Sequence, residues 1–219
     1  MLEQPLQGAQ EQLCINTEKV YDWVLLQTSI NRNIAAADLG TLPIDPCATT
    51  VTNLSVDCFL VDDAGNPIPP NGEVPVTEVG ERQNRTFNID GTSVTLQSVN
   101  FTKTINVVFE FSGLDDTTPF VEQSDPISII VPESSFLCAP EGTELSVRIT
   151  EVDCGASANC IAGALDSVDL ALTICQSVQT VTNVTLELTA DFCQPREQIF
   201  EQCPTPAIPP QCPVLFPGG

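Results

Sequence analysis

The sequence predicts an all-β protein, a β-sandwich of jelly-roll-like or Ig-like type made of many short strands and loops. Three observations carry that expectation. From about residue 51 onward apolar residues recur with period two, whereas the 3.6-residue period of an amphipathic helix is nearly absent. The 18 Pro and 12 Gly fall mostly between the alternating stretches, where turns are needed. Finally, 42 % hydrophobic residues in a chain of 219 suffice for a packed core, which excludes a disordered tail.

Taken in order, residues 1–13 form a Gln-rich polar stretch with nothing to bury, and residues 1–19 as a whole read as a connector arm. The body spans 20–193. It begins with "VYDWVLL", where Val20, Val24 and Leu26 alternate against Tyr21, Trp23 and Leu25, so that both faces are partly apolar. "NLSVDCFLVDD" adds a strand that ends in the turn residues "DDAGNPIPPNG". In "SVNFTKTINVVFEFS" the apolar odd positions Val99, Phe101, Ile105, Val107, Phe109 and Phe111 define one strand, or a tight pair, with one buried face. "ELSVRIT" (Leu145, Val147, Ile149), "SVDLALTI" (Val168, Leu170, Leu172, Ile174) and "NVTLELTADF" (Val184, Leu186, Leu188, Ala190, Phe192) repeat the pattern. The remainder, 194–219, is a proline-rich tail that must be largely extended.

Charge and cysteine content narrow the classes of partner. Twenty-nine Asp and Glu face 7 Lys and Arg, a net charge of −22, so nucleic acid and anionic membrane surfaces are repelled. The ten cysteines are Cys14, Cys47, Cys58, Cys138, Cys154, Cys160, Cys175, Cys193, Cys203 and Cys212. With no His and no C-x-x-C pair a zinc site has little to build on, and disulfide formation is the expectation for all ten. Cys203 and Cys212 imply that the tail is strapped to its own domain or to a neighbour. "MLEQPLQGAQEQLC" has neither the basic nor the apolar region of a signal peptide, and no run reaches the length of a membrane span. A chain at an oxidising surface, reached without a classical leader, is the expected setting.

Catalytic machinery is not expected. Without His, and without G-x-S-x-G or S-x-x-K, no nucleophile and base can be paired in the usual way. The adjacent acids Asp62 and Asp63, and Asp115 and Asp116, read as solvated turn residues; loosely held Ca²⁺ is the alternative, although no EF-hand spacing occurs. No metal or cofactor is expected. Asn53, Asn84, Asn100 and Asn183 stand in glycosylation sequons of a kind that arises readily in Thr-rich strands. Lys103 interrupts the apolar parity of "VNFTKTINVVF". A hairpin or bulge near Thr102 that turns it outward is the expected reading, and burial for an isopeptide bond with Asn or Asp is the alternative.

The stretches "CINTEKVYDWV" and "ICQSVQTVTNVTLELTADFCQPREQI" resemble cysteine-containing surface proteins of endospore-forming Gram-positive bacteria, namely coat or exosporium proteins and subunits of endospore appendages. The resemblance implies disulfide-linked, chemically resistant material without an active site. It also implies β-sandwich bodies joined through N-terminal connectors that reach earlier subunits through cysteines. Cys14 here stands alone rather than in a clustered pair.

The expectation that joins these readings is a structural subunit that self-associates head to tail, by strand addition with a disulfide lock at Cys14 and with Tyr21 and Trp23 at the contact. Its partners are copies of itself and other spore-surface proteins. The rival is an extracellular binding or adhesin domain; an ordinary first strand of the sandwich is the plainer account of the opening segment.

Overall fold

The structure, a computed structural model, describes residues 11–190. The chain divides into a main unit, Asn16–Thr185, and a second unit made of the terminal segments Met1–Ile15 and Leu186–Gly219. The strands are β1 (Glu11–Ala35), β2 (Val51–Val61), β3 (Gly72–Val74), β4 (Val76–Glu78), β5 (Gln83–Ile89), β6 (Thr92–Asp115), β7 (Thr118–Gln123), β8 (Ile127–Leu137), β9 (Glu144–Ile161) and β10 (Ala164–Ala190), with one 3₁₀ turn at Ala36–Asp38. The fold is a β-sandwich of two antiparallel sheets. One has the order β1-β10-β9-β3; in the other, β6 is the axis on which β2, β4, β5, β7 and β8 all pair.

β6 is a single strand of 24 residues rather than a tight pair. Along one edge it meets β5, then β4, then β2; along the other it meets β8, then β7. The turn into it is the two-residue loop Asp90–Gly91, both with positive φ (50° and 80°), the backbone that a twisted hairpin requires and that Gly adopts without a steric cost. Every odd position read from the sequence as inward is buried, and between Ile105 and Phe109 the even residues Asn106 and Val108 are buried as well. Val99, Phe101, Ile105, Val107, Phe109 and Phe111 are all buried, facing Val168, Leu170, Leu172, Ile174 and Val178 of β10 and Val147 and Ile149 of β9. Truncating a side chain such as Phe109 to Ala in this layer would cost about 3–5 kcal/mol, the lost transfer energy plus the cavity left behind.

Two departures from simple alternation matter. In the β9–β10 ladder Glu151 pairs with Cys175 and Ile149 with Gln176, which leaves Thr150 as an extra residue. That bulge shifts the inward parity of β9 from odd (Val147, Ile149) to even, so Cys154 and Ala156 pack against the core. At the far end, Leu186 and Leu188 continue the apolar alternation of β10 yet are exposed. The ladder with β9 ends earlier, at Val181↔Glu144.

Residues 11–19, assigned by sequence to the arm, run within β1 without a break into the body strand. Residues 1–10, the tail 194–219, and with them Phe192, Cys193, Cys203 and Cys212, lie outside the described residues.

Two disulfides tie the main unit. Cys58 of β2 is joined to Cys154 of β9, across the two sheets, with Cα atoms 5.8 Å apart; Cys47, before β2, is joined to Cys160 of β9 at 5.6 Å. The residues they link are 96 and 113 apart in sequence, so each closes a long loop in the unfolded chain. Because the core is continuous without them, reduction should leave the β circular dichroism signal intact at room temperature. The double substitution Cys58→Ser/Cys154→Ser should lower unfolding stability by about 2–5 kcal/mol, measured by denaturant titration.

Candidate functional site

Among the described strands β1 lies at the edge of its sheet, with β10 as its neighbour. From Asp22 onward its even positions face inward: Val24 and Leu26 pack against the core and Ile30 is buried. The odd positions must then face out, and they carry the largest rings of the chain. Trp23 is 59 % exposed and Leu25 65 %, with Tyr21 beside them at 37 % and Val20 at 44 %. The Lys19 ammonium lies 4.3 Å from the centre of the Tyr21 ring, a cation–π contact that covers one end of the row. Asp22 anchors the strand from its inner side by accepting the backbone N–H of Cys138 at 2.7 Å.

Among the described residues, Cys14, Cys138 and Cys175 carry no disulfide. Cys14 and Cys138 are exposed and Cys175 is half-buried. Of the disulfide candidates among the described residues, Cys47, Cys58, Cys154 and Cys160 are bonded within the chain. Thr180 donates to the Cys138 carbonyl at 2.8 Å, so this thiol sits on a backbone held from both β1 and β10.

The acidic pairs are turn residues. Asp62 accepts the backbone N–H of Ala64 and of Asn66, at 2.9 and 2.8 Å, and the Asn66 amide bonds lower its pKa below the usual carboxylate value. Asp63 accepts from Asn106 at 3.0 Å. Asp115 ends β6, and Asp116 occupies the turn to β7 with φ 53°. No group of three His, Cys, Asp or Glu side chains that could hold a metal occurs among the described residues. The four sequon asparagines, Asn53, Asn84, Asn100 and Asn183, are exposed. An open concavity on the outer face is lined by Arg32, Asn33, Ser157 and Asp169 among others; Asp169 accepts from Asn159 at 2.8 Å and Asn33 at 2.7 Å, which lowers its pKa.

Lys103 does not turn outward, and β6 has no bulge beside it. Thr102 and Lys103 stay in register with both Thr77 and Val76 of β4 and Pro132 and Val131 of β8. Its side chain is fully buried. The charge is tolerated because polar partners wait inside. Lys103 Nζ donates to Glu133 Oε1 at 2.8 Å and also to Gln176 Oε1. Gln176 Nε2 donates to Glu133 Oε2 at 2.6 Å, and Thr28 Oγ1 donates to Glu133 Oε1. Burial pushes the Lys103 ammonium below the ordinary lysine value, opposed by the hydrogen bond and charge of Glu133. Glu133 and Gln176 were not singled out in the sequence, yet a signal existed: both occupy core-parity positions of apolar stretches, as Lys103 does.

The described residues thus form an all-β sandwich with two disulfides, one of them between the sheets, an aromatic edge strand and a buried ionic cluster. No protein family, no curated protein and no solved structure matches the chain.

Thiol accessibility provides a direct check. Brief maleimide treatment of the native monomer should label Cys14 and Cys138 fastest and Cys175 more slowly, and leave Cys47, Cys58, Cys154 and Cys160 unmodified until reductant is added, as read by peptide mass mapping.

Proposed function

We propose that the protein is a structural subunit that assembles with copies of itself into a disulfide-stabilised fibre or layer on a spore or cell surface, joined through the N-terminal part of the chain. The observation that carries this reading is β1: a 25-residue edge strand whose outer face holds Tyr21, Trp23 and Leu25 in a row. Edge strands of single proteins are normally short, charged or covered, since an open ladder edge with apolar side chains invites a second chain. Aromatic rings in such a row supply contact area at small entropic cost. Cys14 lies on the same strand with an exposed thiol, suited to a covalent lock once a neighbour has docked. The resemblance of the Cys14 and Cys175 stretches to spore-surface proteins points to the same setting, in which contact between unlike surface patches repeats without closing and yields an open polymer.

Electron microscopy of the purified protein tests the proposal. Wild type should form polymers, and non-reducing gels should show a ladder that collapses to one band with reductant. Trp23→Glu/Leu25→Glu should remain a folded monomer by circular dichroism, because neither side chain belongs to the core. Cys14→Ser should still assemble, but its polymers should dissociate in denaturant. Dispersed wild-type monomers under every condition would sink the reading in favour of an extracellular binding domain.

A further inference from the structure

The buried cluster at Lys103 has the parts of a reaction as well as of an ion pair. A nucleophilic nitrogen, a primary amide and a carboxylate that touches both lie within one hydrogen-bonded ring: Lys103 Nζ to Gln176 Oε1, Lys103 Nζ to Glu133 Oε1, and Gln176 Nε2 to Glu133 Oε2. We propose that Lys103 and Gln176 react inside the folded chain to form an isopeptide bond between Lys103 Nζ and Gln176 Cδ, with Glu133 carrying the protons and ammonia as the product released.

The geometry assigns each part. Lys103 is on β6 of one sheet and Gln176 on β10 of the other, so the two side chains meet across the sandwich and neither can leave without opening it. Both are fully buried. Intramolecular reactants held in this way reach effective concentrations on the order of 10⁵ M or more, far beyond what an exposed lysine and glutamine meet in solution. Glu133, on the inner face of β8, is the diagonal neighbour of Lys103, because Lys103 pairs with Val131 and Phe101 with Glu133. One oxygen faces the attacking nitrogen and the other the leaving nitrogen, and Thr28 holds the carboxylate from β1.

The step balances without an oxidant or a co-reactant. Glu133 takes a proton from the Lys103 ammonium. The freed lone pair forms the Nζ–Cδ bond as the Cδ–Oε1 π electrons move to oxygen. Glu133 passes that proton to Gln176 Nε2 and, a carboxylate again, takes the second proton from Nζ, and the Cδ–Nε2 bond breaks with its electron pair on nitrogen as the carbonyl re-forms. Ammonia departs and takes up the remaining proton. The low pKa that burial imposes on Lys103 favours the neutral amine this sequence needs. Exclusion of water from the fully buried pair removes the competing hydrolysis.

Intact-mass measurement of the full-length protein, reduced, alkylated and denatured, tests the proposal independently of assembly, since the bond lies within one chain. Wild type should be lighter than its sequence mass by one ammonia. Trypsin should fail to cut after Lys103, and a branched peptide should join the segments that hold Lys103 and Gln176. Gln176→Met and Lys103→Arg should have full sequence mass and no branched peptide. Glu133→Gln, where circular dichroism shows it folded, should also keep full mass. Wild type at full sequence mass overturns the proposal, and so does a loss of ammonia that persists in Gln176→Met. A cross-linked, folded Glu133→Gln would remove Glu133 from the reaction. Should that variant fail to fold, the wild-type and Gln176→Met masses still decide.

Discussion

The strand β6 has hydrogen-bonded neighbours on both edges along most of its 24 residues, and that requirement organises the molecule. A strand bordered on both sides and buried on one face has no freedom of register, since a slip of one residue would carry Phe101, Phe109 and Phe111 into solvent and Thr and Glu inward. Five strands take their positions from it: β5, β4 and β2 in succession on one edge, β8 and β7 on the other. The second sheet is then placed by the inner face of β6, against which β10 and β9 set their even and odd apolar rows.

A core so strongly specified can hold one polar cluster without losing its identity. Lys103 sits in the apolar row of β6, and its desolvation is offset only because Glu133 on the neighbouring strand and Gln176 on the opposite sheet supply the matching acceptors. A buried pair of this kind adds little net stability over an apolar replacement of equal volume, but removing one member leaves an uncompensated charge and costs about 3–5 kcal/mol. The cluster therefore works as a registration device between the sheets. It also brings an amine, an amide and a carboxylate to hydrogen-bonding distance in a site closed to water. The inter-sheet disulfide Cys58–Cys154 acts on the same pair of sheets by a different chemistry.

On β1, core packing and exposed apolar surface lie on opposite faces of one strand. The even positions Val24, Leu26 and Ile30 pack into the sandwich, whereas the odd positions Tyr21, Trp23 and Leu25 are exposed and outside the core. Large apolar side chains kept out of the core at one edge are an expense in solubility for an isolated chain, offset in part by its net charge of −22. The same division explains why the thiols fall into two sets. Cys58 and Cys154 lie on inward parity and are bonded, whereas Cys175 lies on the outward parity of β10 and is not.

The sequence by itself determined the all-β class, the inward rows of β6, β9 and β10 and the double-faced character of β1, because period-two alternation is a local property that backbone geometry converts directly into two faces. It also marked Lys103 as out of place. What the residue does there was not legible, since its partners lie 30 and 73 positions away in sequence and become neighbours only through strand pairing and sheet packing. The expected outward turn would have needed a hairpin or bulge near Thr102, where the register is unbroken; a bulge lies instead at Thr150 of β9. It is that shift of parity that turns Cys154 toward Cys58 and fixes one of the disulfides. Exposure of Leu186 and Leu188 was equally hidden, because alternation tells which residues share a face but not whether that face is covered. Pairings between distant strands depend on register and on where each neighbour stops, and these are set by the packed structure as a whole.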